Sequence, residues 1–189
     1  EKKAQSVSAV YTAADKQLDE GNPDEAVAEF VELGANGPDG YAGLALMRAA
    51  AIRHNEGDEI TAIKYFDQAA EKFSAPRHKQ LAQLKAAYLL AGQGAYSDVI
   101  ERMTPLAETD APYEFLAREL LGFAYSESGN ASSAREQFAY LTSIPGVPPT
   151  VKQRAEQSMA LMGVKTAITA PEPVEETVPE TQEDATDEE

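Results

Sequence analysis

The sequence predicts an all-α chain, a right-handed superhelix of about four helix pairs closed by a C-terminal capping helix. Three observations predict it. A glycine, then a small residue five positions on, then a bulky apolar residue four later, recurs along the chain as Gly21/Ala26/Phe30, Gly57/Ala62/Phe66, Gly94/Val99/Met103 and Gly129/Ala134/Phe138. Apolar residues fall at helical spacing, as in Ile63, Phe66, Ala70 and Phe73. No stretch alternates as a strand does. The 189 residues are 43% apolar, enough for one sizeable core.

The four glycines stand 36, 37 and 35 residues apart. That is close to the tetratricopeptide period of about 34 residues, in which two antiparallel helices make one unit. The glycine belongs at the turn after the first helix, where a left-handed backbone is needed. The small residue lets the helices approach, and the bulky one a turn later fills their interface. Burial of each such Phe stabilises by about 1.5–3 kcal/mol.

A polar helix precedes Gly21, and Asn22-Pro23-Asp24 restarts the chain with Pro in a first turn and an acid at the positive end of the helix dipole. The second unit begins with Tyr41–Asn55, rich in Ala, Leu and Met, and turns into Asp58-Glu59. The third begins with His78–Ala91; its Val99 and Met103 replace the small and aromatic residues, and Gly92-Gln93-Gly94 makes a looser turn. In the fourth, Leu121-Gly122 followed by Tyr125 reproduces the Leu-Gly-x-x-Tyr of a tetratricopeptide first helix. Pro145, Pro148 and Pro149 then turn the chain into a last helix, from about Thr150 to Met162. Val151, Ala155, Met159 and Met162 share one side of it, as suits a cap on a repeat array, and Gly163 is its expected stop. The repeat domain is therefore 1–163, and 164–189 is expected to be a disordered acidic tail. Residues 166–189 carry nine acids and no base.

Composition excludes several functions. Cysteine is absent, which removes disulfides and thiolate chemistry. Two histidines, His54 and His78, are too few for a histidine-based zinc site. The net charge of −16 argues against nucleic acid, whose binding relies on Lys and Arg. No apolar run of 18 residues exists to span a bilayer. No phosphate loop occurs, because Gly92-Gln93-Gly94 lacks a following Lys-Ser/Thr. Each histidine lacks the Ser and Asp partners of a nucleophilic triad, so neither catalysis nor a cofactor or metal is expected.

Function then rests on the concave surface that repeat helices make. Counting back from each turn glycine places Tyr11 and Asp15, then Leu44, Met47 and Ala51, then Leu81, Leu84 and Tyr88, then Leu116, Glu119 and Phe123 towards that surface. This is a largely apolar lining with adaptable Met and aromatic content. The candidate protein-binding groove is Leu44, Met47, Leu81, Leu84, Tyr88, Leu116, Glu119 and Phe123. The same spacing also suits plain core packing, against the cap or a second copy. Positions where some tetratricopeptide domains clamp an acidic peptide hold no Lys or Arg here, so a groove without positive lining is expected.

The order of Tyr41-Ala42-Gly43-Leu44-Ala45-Leu46, Glu119-Leu120-Leu121-Gly122 and Ser128-Gly129-Asn130-Ala131-Ser132-Ser133-Ala134-Arg135, ending in a Met-containing helix, resembles a bacterial periplasmic tetratricopeptide-like family. That family includes the ancillary subunit of the Sec translocon (YfgM-like), and the resemblance spans about residues 4–163. It implies a non-catalytic scaffold or chaperone-like module on the periplasmic side of the inner membrane. Its implied partners are the translocon, envelope chaperones or exported clients, with membrane contact only through an N-terminal anchor absent from this chain. The alternative is a self-associating structural repeat whose groove another copy fills.

Overall fold

The structure, a computed structural model, describes the backbone of residues 2–108 and 110–169 and the side chains of 7–38, 40–108 and 110–163. Among the described residues nine helices follow one another, with no strand. They are α1 (Lys2–Asp19), α2 (Pro23–Asn36), α3 (Asp39–Asn55), α4 (Glu59–Lys72), α5 (Pro76–Gly92), α6 (Tyr96–Ala107), α7 (Glu114–Glu127), α8 (Ala131–Ser143) and α9 (Pro149–Thr169). None of these helices, over the described residues, is long and apolar enough to cross a membrane.

Every hairpin closes through one kind of turn. Gly21, Gly57, Gly94 and Gly129 have φ of 81°, 82°, 74° and 83°. The next amide donates to the carbonyl five residues back: Asn22 to Gln17 and Asp58 to Arg53 at 2.8 Å, Ala95 to Leu90 at 3.0 Å, Asn130 to Tyr125 at 2.8 Å. This is the Schellman closure, which satisfies carbonyls a helix end leaves free. A Cβ on any of the four would meet nothing within 4 Å, so backbone conformation selects glycine there. The third turn, expected to be looser, closes through the same kind of bond, slightly longer than the other three. The following helices start on caps where the sequence supplies them: Asp58 accepts from the Thr61 amide at 3.1 Å, and Asn130 from the Ser133 amide at 3.2 Å.

Packing follows the repeat. Ala26, Ala62, Val99 and Ala134 are fully buried, as are Phe30, Phe66, Met103 and Phe138 or nearly so. Val99 and Met103 thus fill the third unit as Ala and Phe fill the others. A Cβ on Gly122 would lie 2.9 Å from the Phe138 ring, which explains the Leu-Gly step of α7: the ring lies directly on backbone. The first helix of each later pair packs on the second helix of the pair before it, α3 on α2, α5 on α4 and α7 on α6. The last helix, α9, covers α8 through Val151, Ala155 and Met162.

One boundary differs from expectation. The cap does not stop at Gly163; α9 continues to Thr169. Gly163 lacks the left-handed backbone of the true stops, and a single helical glycine costs only about 1 kcal/mol against Ala. Residues 164–169, assigned to the tail, therefore extend the cap. The remainder of the expected disordered tail, 170–189, lies outside the described residues.

Candidate functional site

The first helices line two grooves. The N-terminal one, about 650 Å³, lies among α1, α3 and α5 and is walled by Tyr11, Tyr41, Leu44, Met47, Arg48, Ala51, Phe66 and Lys85. The C-terminal one, about 580 Å³, lies among α5, α7 and α9, with Tyr88, Ala91, Glu119, Phe123, Arg154 and Leu161 on its walls. Large apolar or aromatic side chains stand uncovered in both: Tyr41, Leu44, Tyr88 and Phe123 are 43–47% exposed and Leu161 is 66% exposed.

Each groove carries an ion pair between two helices of its wall, α1 and α3 in the N-terminal one and α7 and α9 in the C-terminal one. In the N-terminal groove Arg48 Nη2 donates to Asp15 at 2.8 Å, both side chains being half exposed. Lys85 adds a second cation, its Nζ 5.8 Å from the centre of the Phe66 ring. Burial, set against nearby Arg48, pushes the Tyr11 phenol above its ordinary pKa, and its buried hydroxyl has no hydrogen-bond partner. In the C-terminal groove Arg154 grips Glu119 with two bonds, at 2.5 and 2.7 Å. Burial, with the Glu119 carboxylate beside it, raises the pKa of Tyr88. Phe123 meets Tyr96 edge to face, 6.0 Å between ring centres.

The residues expected in the groove therefore divide. Leu44 and Met47 wall the N-terminal groove, and Tyr88, Glu119 and Phe123 the C-terminal one. Leu84 does not belong: it is 3% exposed and packs with Ala87, Leu90 and Leu120 in the core beneath α5. Leu81 is half-buried and walls neither groove, while Leu116 lies half-buried between the cores of the third and fourth units. The expectation of no positive lining is also corrected. Arg48 and Lys85 both stand nine residues before their turn glycines, one place beyond the positions counted, so the register itself could have found them. Arg154 and Leu161 come from the cap, which has no turn glycine to count from.

The histidines serve structure. His54 bonds Glu59 at 2.8 and 3.0 Å, tying the end of α3 to the start of α4, and His78 lies against Phe73 with ring centres 5.3 Å apart. Among the described residues no group of three or more His, Asp or Glu side chains is arranged to hold a metal.

Comparison with known proteins agrees with this architecture. The model of the tetratricopeptide repeat-like domain family matches residues 1–157. The solved structure of the MamA RS-1 ArsTM double mutant superposes with a TM-score of 0.64 over 85% of each chain. At 18% identity that likeness speaks for the fold alone. No curated protein matches the sequence. The turns, the packing order and the family match together place this chain in the tetratricopeptide repeat-like domain family.

Proposed function

We propose that this chain is a non-catalytic protein-binding scaffold or chaperone-like module whose concave face takes up segments of partner or client proteins. One observation carries the reading. Tyr41, Leu44, Tyr88, Phe123 and Leu161 remain uncovered on one face of a stack whose other large apolar side chains are mostly buried. Ion pairs beside them leave polar handles for the backbone of an incoming chain. The periplasmic, inner-membrane placement near the Sec translocon rests on the resemblance carried by Glu119–Gly122 and Ser128–Arg135.

Photo-crosslinking in intact cell envelopes tests it. A photoreactive residue at Leu44, Tyr88 or Phe123 is expected to capture translocon subunits, envelope chaperones or exported chains, while one at exposed Ile60, outside both grooves, does not. Equal capture from Ile60 overturns the groove. Adducts with a second copy alone replace this reading with the self-associating repeat.

A further inference from the structure

We infer that the acidic segment 170–189 of this chain docks in the chain's own N-terminal groove, its carboxylates around Val178 held by Lys85 and Arg48. Charge singles out that groove. Arg48 and Lys85 line it, and among the described residues no acid does. Arg48 shares Asp15, with both side chains half exposed. Lys85 has no carboxylate partner among the described residues; its ammonium rests near the Phe66 ring. Tyr11, on the same wall, keeps a buried hydroxyl without a hydrogen-bond partner. Exposed Tyr41 and Leu44 add apolar surface beside the cations. Neighbouring grooves suit an anion less. In the C-terminal one Arg154 is already held through two bonds by Glu119, whose side chain is 16% exposed. The groove between α1 and α2 carries Glu29 and Glu32 and no cation.

Chemistry and reach name the occupant. Segment 170–189 carries nine acids and no base, and within it Val178 stands close to Glu180, Glu183 and Asp184. The segment follows α9, which packs on α7, and α7 packs on α5, the helix of Lys85. At about 8–10 Å per helix, that is about 20 Å across the face. Arg154 bonds Glu119, ten residues before Gly129, and Lys85 stands nine before Gly94, so the two cations lie at nearly one level of the stack. Thr169 is 15 residues beyond Arg154, about 22 Å along the helix. The gap from Thr169 to Lys85 is therefore about 30 Å. The 11 residues from Thr169 to Glu180 reach about 36–40 Å, enough to cross it. Covalent linkage raises the local concentration of these carboxylates to the millimolar range, so contacts worth under about 1 kcal/mol each suffice. An acidic segment on a separate partner lacks that advantage, and two copies of a chain of net charge −16 repel one another. The docking stands on the groove and its charge. Its consequence rests on the binding role proposed above: a partner segment must displace residues 178–184 from the N-terminal groove, while the C-terminal one stays open.

The test uses the full chain, whose lack of cysteine lets Thr181→Cys carry a single nitroxide. In methyl NMR spectra the signals of Leu44 and Met47 are expected to broaden, while that of Ile144, at the end of α8, does not. Lys85→Glu, at an exposed position, should cut the broadening about threefold or more with an unchanged thermal melt, and Lys85→Arg should retain it. Salt at about 0.5 M should act as Lys85→Glu does. Broadening no greater at Leu44 and Met47 than at Ile144, or indifferent to Lys85→Glu, overturns the inference. So does broadening reproduced on mixing methyl-labelled chains with separate spin-labelled ones, since a second copy would then take up the segment. No partner protein takes part, so failure here leaves the binding role to stand or fall by the crosslinking.

Discussion

The N-terminal and C-terminal halves of the concave face are built on one backbone template and present different chemistry. In the N-terminal half, Arg48 and Lys85 line the groove, and Arg48 pairs with Asp15 half open to water. In the C-terminal half, Arg154 holds a Glu119 side chain only 16% exposed, with Tyr88, Phe123 and Leu161 around them. The halves meet at α5, which sends Lys85 to one groove, Tyr88 to the other and Leu84 into the core between them. A repeat fixes where side chains start, and the neighbouring helices decide which of them water reaches.

Substitution at that meeting point is expected to have the largest effect. Leu84→Asp places an unpaired carboxylate in the core and should cost about 3–5 kcal/mol in denaturant unfolding. Phe123→Asp, at a side chain 43% exposed, should cost less than about 1 kcal/mol while abolishing partner capture at the C-terminal groove. Equal losses would mean that Phe123 is core and that the C-terminal half offers no open lining.

The ion pairs separate the halves next. Arg154→Ala leaves the largely covered Glu119 without its two donors and should cost about 1–2 kcal/mol. Arg48→Ala, from a pair half exposed on both sides, should cost under about 0.5 kcal/mol. Thermal unfolding of the two variants side by side measures the difference, and a reversed order would refute the distinction drawn between the grooves.

Glycine substitutions test what the halves share. Gly21→Ala and Gly129→Ala each put a side chain in the left-handed region and should lose about 1 kcal/mol alike. Gly163→Ala, in a helical stretch with open space about it, should gain about 0.5–1 kcal/mol. A loss there would restore the early stop that the sequence alone implies.

The legible part of this molecule is the part local chemistry dictates. Four turns need φ near +80°, so their glycines announced the hairpins, and the alanines and aromatics that follow had to pack across them. The groove was legible only in part. Leu44, Tyr88 and Phe123 sit where counting put them, but the burial of Leu84 depends on how α6 and α7 settle against α5, which no local signal in α5 encodes. Arg154 and the true end of α9 were hidden for a related reason: the cap is held by contacts with α7 and α8, and Gly163 resembles a stop without adopting its backbone.

The smallest expected effect lies in the caps. Bonds from the Thr61 hydroxyl and amide hold the Asp58 carboxyl below its ordinary pKa. A folded-state pKa below the unfolded one means the cap contributes fully above the ordinary carboxylate range and is lost as pH falls through the lower, folded value. In the C-terminal half, Asn130 caps α8 at the equivalent turn with a group that does not titrate. On acidification, amide protection at Thr61 should therefore fall below the usual carboxylate range while that at Ser133, followed in the same NMR spectra, does not share the transition. Asp58→Asn should remove the difference. Parallel loss at both amides in the unsubstituted chain would show that acid acts on the stack as a whole rather than on the Asp58 cap.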